Sequence, residues 1–241
     1  MSDVLIPTLV PIVVALVGAL VTVVYGPILK ARLDRRRQAQ DLEARYRDAL
    51  MSSAYGLAAR LFDISRGLLA DTDALEHEAQ AESQGYVHTN TLWMIGRYFA
   101  WVELLRRDRY FLALGTTSRG RGLLQSIEAV TNAFRLESER SDPYFRLFGA
   151  QQSAIAELMI VERESRGEVR SDCLGYATFT SKLEDKDDVV FRRWFATLSR
   201  DLEALPTSPG MSKRIIAVQH ALVDLHQFLD ETGSASRIRR A

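Results

Sequence analysis

Two glutamates and three arginines interrupt apolar helical stretches of this chain, and chemistry would be sought there first. Glu103, Arg106 and Arg107 stand in the run Trp101–Arg107, and Arg146 and Glu157 stand in the run Tyr144–Val161. A carboxylate among apolar neighbours can act as a general acid or base, because burial favours its neutral form. Held against a guanidinium, the same group is a structural ion pair that fixes helix register. Glu103 precedes Arg107 by four positions, the favourable order for a pair on one helix face. Glu157 has no base within one turn. If buried it needs a cation from another helix, and Arg106 is the expected donor. No nucleophile, metal set or second paired carboxylate accompanies them. The expectation is therefore a structural polar network of Glu103, Arg106, Arg107, Arg146 and Glu157, with no catalytic residue.

Other motifs point less far. Gly115–Gly122, GTTSRGRG, lacks the terminal Gly-Lys-Ser/Thr of a phosphate loop and follows a helix instead of a strand. It reads as a turn between helices with Gly115 as the C-terminal cap. Arg119 and Arg121, beside the amides of the next helix start, remain candidate anion-binding residues. The four histidines, His77, His88, His220 and His226, have no second ligand at a metal-binding spacing, so no metal or other cofactor is expected. Cys173 is the single cysteine, which excludes an intrachain disulfide. Trp93, Tyr98, Phe99, Trp101, Tyr110 and Phe111 are dense enough to line a pocket, and equally suited to plain core.

The first 37 residues say most about where these groups are held. Val4–Tyr25 is 22 residues with no ionisable group but the Tyr25 phenol. As a helix it reaches roughly 33 Å, enough to span a bilayer core of about 30 Å. Pro7 suits a first turn; Pro11 kinks the helix or delays its start. Lys30, Arg32, Arg35, Arg36 and Arg37 follow at once. Basic flanks stay in the cytoplasm, so the N-terminus is read as outside and the body as inside a plasma (bacterial inner) membrane. A cleaved signal peptide would need a basic start and a small-residue cleavage site, and Met1-Ser2-Asp3 and Tyr25-Gly26-Pro27 supply neither. The five basic residues are also suited to lipid headgroups. Ala15 with Ala19, and Gly18 with Thr22, are spaced for a homodimer through the membrane helix.

Charge is zero overall but uneven. Residues 38–236 contain 29 acidic and 23 basic residues, a net −6, with basic segments at both ends. An acidic body argues against nucleic-acid binding. Only four lysines stand against the many arginines, a usage typical of GC-rich bacterial genomes.

Periodicity predicts an all-α body behind the membrane helix. The expected units are an anchor (1–28), a juxtamembrane helix packing on the body (29–70), an acidic linker (71–88), a helical bundle (89–232) and a basic disordered tail (233–241). Asn90–Leu114, capped by Thr89, Asn90 or Thr91, reads as the central helix, apolar on most sides. Helices follow over Leu123–Leu136, Tyr144–Val161 (started by Ser141-Asp142-Pro143), Cys173–Leu183, Val189–Leu205 and Lys213–Leu229. Glu162–Asp172 reads as a charged turn, and no segment shows strand-like alternation. The function these readings favour is a membrane-tethered helical interaction or scaffold protein that meets the bilayer and a cytoplasmic protein partner. Two rivals stand beside it: a membrane-anchored sensor or effector of a small anionic ligand, and an enzyme using a buried carboxylate.

Overall fold

The computed structural model describes residues 26–66, 77–135, 144–165, 168–204, 212–230 and 240. The stretch Val4–Tyr25, the start signal Ser141–Pro143 and the tail other than Arg240 lie outside the described residues. No helix among the described residues is long and apolar enough to cross a membrane.

The described part is mostly helical: α1 (Gly26–Ser65), α2 (His77–Arg107), α3 (Phe111–Leu114), α4 (Ser118–Arg135), α5 (Gly149–Met159), α6 (Tyr176–Glu184), α7 (Val189–Ala204) and α8 (Ser212–Leu229). Between α5 and α6 lies one antiparallel hairpin of β1 (Ile160–Ser165) and β2 (Glu168–Cys173).

α1 is 40 residues, roughly 60 Å of helix. Its buried positions Ala39, Leu42, Leu50, Ala54, Leu57, Leu61 and Ile64 form one face that packs on α8 and α2. α2 is the central element, touching α1, α5, α6, α7 and β2. Leu92, Ile95, Tyr98, Phe99, Ala100, Val102, Leu104 and Leu105 are all buried, which is why this segment is apolar nearly all round. A Cβ on Gly96 would come within 2.9 Å of Met159, so the glycine permits close approach of α5.

Several boundaries differ from the sequence reading. The helix expected to begin near Asn90 begins at His77, inside the expected acidic linker. Thr91 is thus mid-helix and caps nothing; its hydroxyl donates back to the Val87 carbonyl at 2.7 Å. Arg107 ends α2, and a turn separates it from α3, where the sequence suggests one helix to Leu114. The expected helix Tyr144–Val161 shortens to Gly149–Met159, because Phe145 sits at φ 53°, a left-handed conformation that breaks a helix. The expected turn Glu162–Asp172 is the hairpin, pairing Val161 with Asp172 and Arg163 with Arg170. Val161 is half-buried, Glu162, Arg163, Glu164, Val169 and Arg170 are exposed, and charges occur on both faces. Such a ribbon leaves no alternation to read. It is held at its base, where the Leu174 N–H donates to the Met159 carbonyl at 2.7 Å.

Candidate functional site

Four places could do chemistry or recognition. The first is the start of α1. From Leu29 to Arg37 no residue is buried, and Ala39 is the first to reach the core. Lys30, Arg32, Arg35, Arg36 and Arg37 are exposed around this turn of helix, with Leu29 and Leu33 exposed among them. Their charges are free to meet an external surface.

The second is the polar network. Arg107 Nε donates to Glu103 Oε1 at 2.8 Å and its Nη2 to Glu157 Oε1 at 2.9 Å. The i,i+4 pair is present, but the partner of Glu157 is Arg107, not Arg106. Glu157 is not buried either; its side chain is 61% exposed. One guanidinium therefore clips α5 to the end of α2 near the surface. With two acidic contacts, Arg107 holds its proton more firmly than an ordinary arginine, the bond to Glu103 being the largest cause. Both carboxylates are paired with the same guanidinium. Arg106 lines a cleft of about 400 Å³ with Val102, Leu105, Phe111, Leu124 and Ile127. Arg146 lies over the Phe148 ring at 4.7 Å. Of the five residues, Glu103, Arg107 and Glu157 are joined by ion pairs, and Arg106 lines a second, smaller cleft together with Glu103.

The third is GTTSRGRG. Gly115 ends α3, the Gly120 N–H donates to Thr117 Oγ1 at 2.9 Å, and Thr117 thereby caps α4. Arg119 Nε donates to Glu43 Oε1 on α1, and its guanidinium lies 5.3 Å from the Phe228 ring centre. Arg121 bonds the Gly115 carbonyl at 3.2 Å and Ser118 Oγ at 3.3 Å. The segment is a capped turn tied to α1, and Arg119 is engaged in that tie, not held open for an anion.

The fourth was not singled out from sequence. His88 on α2 faces Ser199 and Glu203 on α7, in an open groove of about 580 Å³ also lined by Arg192, Arg193 and Arg200. A Ser–His–Glu set invites a nucleophile reading. His88 Nε2 is 3.0 Å from Ser199 Oγ, 3.2 Å from the Ser199 carbonyl oxygen and 3.7 Å from Glu203 Oε1. Ser199 offers Nε2 both a carbonyl, which only accepts, and a hydroxyl, so the nitrogen that would deprotonate Ser199 also faces a group that calls for a proton on it. In a working triad the acid holds the opposite ring nitrogen. This arrangement joins two helices.

The buried polar groups that organise the body are others. Asp201, 1% exposed, accepts the Phe145 N–H at 2.8 Å. Gln152 Nε2 donates to the carbonyls of Thr131 (3.1 Å) and Leu147 (2.9 Å), and Arg214 Nη1 donates to that of Tyr144. All three clamp the non-helical segment 144–148. Asp201 gives no sequence signal, because it looks like one more polar position on an amphipathic helix. Among the described residues no His, Cys, Asp and Glu group could hold a metal. No protein-family model, curated protein or solved structure matches the chain.

Proposed function

We propose that the chain is a single-pass, membrane-tethered helical scaffold: N-terminus outside, Val4–Tyr25 in the plasma membrane, body in the cytoplasm facing a protein partner. The observation that carries this reading is the exposed basic turn Lys30–Arg37, directly behind an apolar run of spanning length and on the same continuous helix as the body core. A strongly basic turn of helix with no buried residue among the described ones fits a passage through lipid headgroups. The outward face of α7 supports the partner half: Val189, Val190 and Trp194 are exposed there beside Arg192 and Arg193, a tryptophan–arginine composition common in interface centres. The sensor and enzyme readings find no such support, since Glu43 engages Arg119 and Arg107 is shared by Glu103 and Glu157.

Carbonate washing of membranes tests the tether: the chain stays with the pellet, and its release into the wash overturns the reading. A reporter active only outside the cytoplasm, fused after Ala241, stays silent if the orientation is right. Crosslinked pull-down from membranes tests the scaffold role, which fails if the chain recovers only itself.

A further inference from the structure

Arginine is concentrated a second time, between Arg106 and Arg121. Arg106, Arg107, Arg109, Arg119 and Arg121 against Asp108 give these residues a net +4. The body is −6, so the rest of it carries −10. This basic turn is fixed to the membrane-facing part of α1. Asp108 accepts from Arg45 Nη1 at 2.9 Å and from the Tyr46 hydroxyl at 3.4 Å, Glu43 holds Arg119, and α3 packs on α1. Arg45 lies eight residues beyond Arg37, about 12 Å along the helix.

The surface of the turn has two properties. Arg106, Arg109 and Arg121 have no carboxylate partner among the described residues, and Arg109 and Arg121 are exposed. Leu112 is 85% exposed, the most exposed of the large hydrophobics described. The one-turn α3 buries Ala113 and Leu114 and turns Leu112 outward. An aliphatic tip beside exposed guanidiniums whose charge no described carboxylate offsets matches a lipid interface, where the tip enters the headgroup layer and the cations meet anionic heads.

We infer that the Arg106–Arg121 turn is a second contact with an anionic lipid surface, made by Leu112 with Arg109 and Arg121. The inference rests on the tether reading. A tilt of α1 brings this turn and Lys30–Arg37 to one plane, so the body lies against the bilayer, and its −10 remainder is repelled to the far side. The orientation of the body would then depend on the charge of the leaflet.

The test uses the full chain in proteoliposomes. Leu112→Cys is labelled with an environment-sensitive fluorophore; buried Cys173 stays unlabelled. Headgroup-nitroxide lipid should quench the label in vesicles containing phosphatidylglycerol, and much less in phosphatidylcholine. Adding Arg109→Gln and Arg121→Gln should shift the docked-to-free ratio by about 25-fold, about fivefold per cation, and about 0.5 M salt should act the same way. A label at Val169→Cys, exposed on β2, should escape quenching. Any of these vesicle results overturns the inference: no quenching at position 112 in vesicles from which carbonate strips nothing, equal quenching in neutral lipid, indifference to the arginine changes, or equal quenching at position 169. The first leaves the tether reading intact; release by carbonate removes both. A turn silent on vesicles yet crosslinked to a protein in membranes would be a protein-docking face, and would also overturn the inference.

Discussion

Replacing Asp201 by alanine should unfold the body more readily than any surface change. Its carboxylate is 1% exposed, and Oδ2 accepts the Phe145 N–H at 2.8 Å while Oδ1 lies 3.5 Å from Arg200 Nη2. Phe145 is held at φ 53°, where a side-chain-bearing residue costs about 1–2 kcal/mol. Two things hold it there: the buried ring, 2% exposed, and the bond to Asp201. A hydrogen bond to a charged acceptor contributes about 1.5–3 kcal/mol, and a buried N–H left unpaired costs about 1–3 kcal/mol. These overlap, so the expected loss for Asp201→Ala is about 3 kcal/mol. That is a large part of the stability of a typical domain, about 5–15 kcal/mol. Asp201→Asn keeps an acceptor of the same shape and should lose only about 1 kcal/mol. The assay is urea unfolding of the full chain in detergent, followed by helical circular dichroism, with the slope checked for constancy. An alanine variant within about 0.5 kcal/mol of the parent would refute the clamp. An asparagine variant as unstable as alanine would show that the charge, not the acceptor, holds segment 144–148.

Four further outcomes follow from the same geometry. Gly120→Ala places a Cβ 2.2 Å from the Leu114 carbonyl oxygen, which is backbone and has no cheap way to move, so about 2 kcal/mol should be lost in the same unfolding assay. Glu157→Ala, an exposed pair with Arg107, should lose less than about 1 kcal/mol; a larger loss would mean the contact is desolvated in solution. Cys173, its thiol pushed up to about 12 chiefly by burial, should react with a thiol reagent at pH 8 only once urea unfolds the body, and rapid labelling of the native chain would contradict the packing of β2 on α2. Asp188 caps α7 through the Phe191 N–H (3.1 Å) and meets Lys182 Nζ at 3.0 Å, so its carboxyl is held below its ordinary value of 3.8, chiefly by the lysine bond. A depressed folded value contributes stability above pH 3.8 that is lost as the pH falls through that value. Asp188→Asn should therefore flatten the acid limb of a melting-temperature profile below about pH 4, and an unchanged limb would rule the cap out.

Much of the helical plan was legible in the residues. Within Lys213–Leu229, Ile215, Val218, Leu222, Leu225 and Leu229 recur at helical spacing and are buried throughout on α8, and so are Phe191, Phe195, Leu198 and Leu202, which recur likewise on α7. Trp194, placed on that face by the same periodicity, stays 36% exposed, because the α7 stripe is wider than what packs on it. The basic run Lys30–Arg37 was equally plain, since charge density needs no partner to be recognised. The candidate site was less legible. Arg106 and Arg107 are adjacent in sequence and chemically alike, and only the placement of α5 against the end of α2 selects Arg107 for Glu157. The hairpin was missed because both its faces are charged, and the start of α2 because a helix of acidic and small polar residues without an apolar stripe resembles linker. Asp201 was missed because its partner is a backbone amide 56 residues away, exposed to it only by the turn at Phe145. Apolar period and charge run are properties of neighbours along the chain, and sequence alone determines them. Which charge meets which, and which polar group is left dry, depends on how faces of different helices come together, and only the tertiary structure decides it.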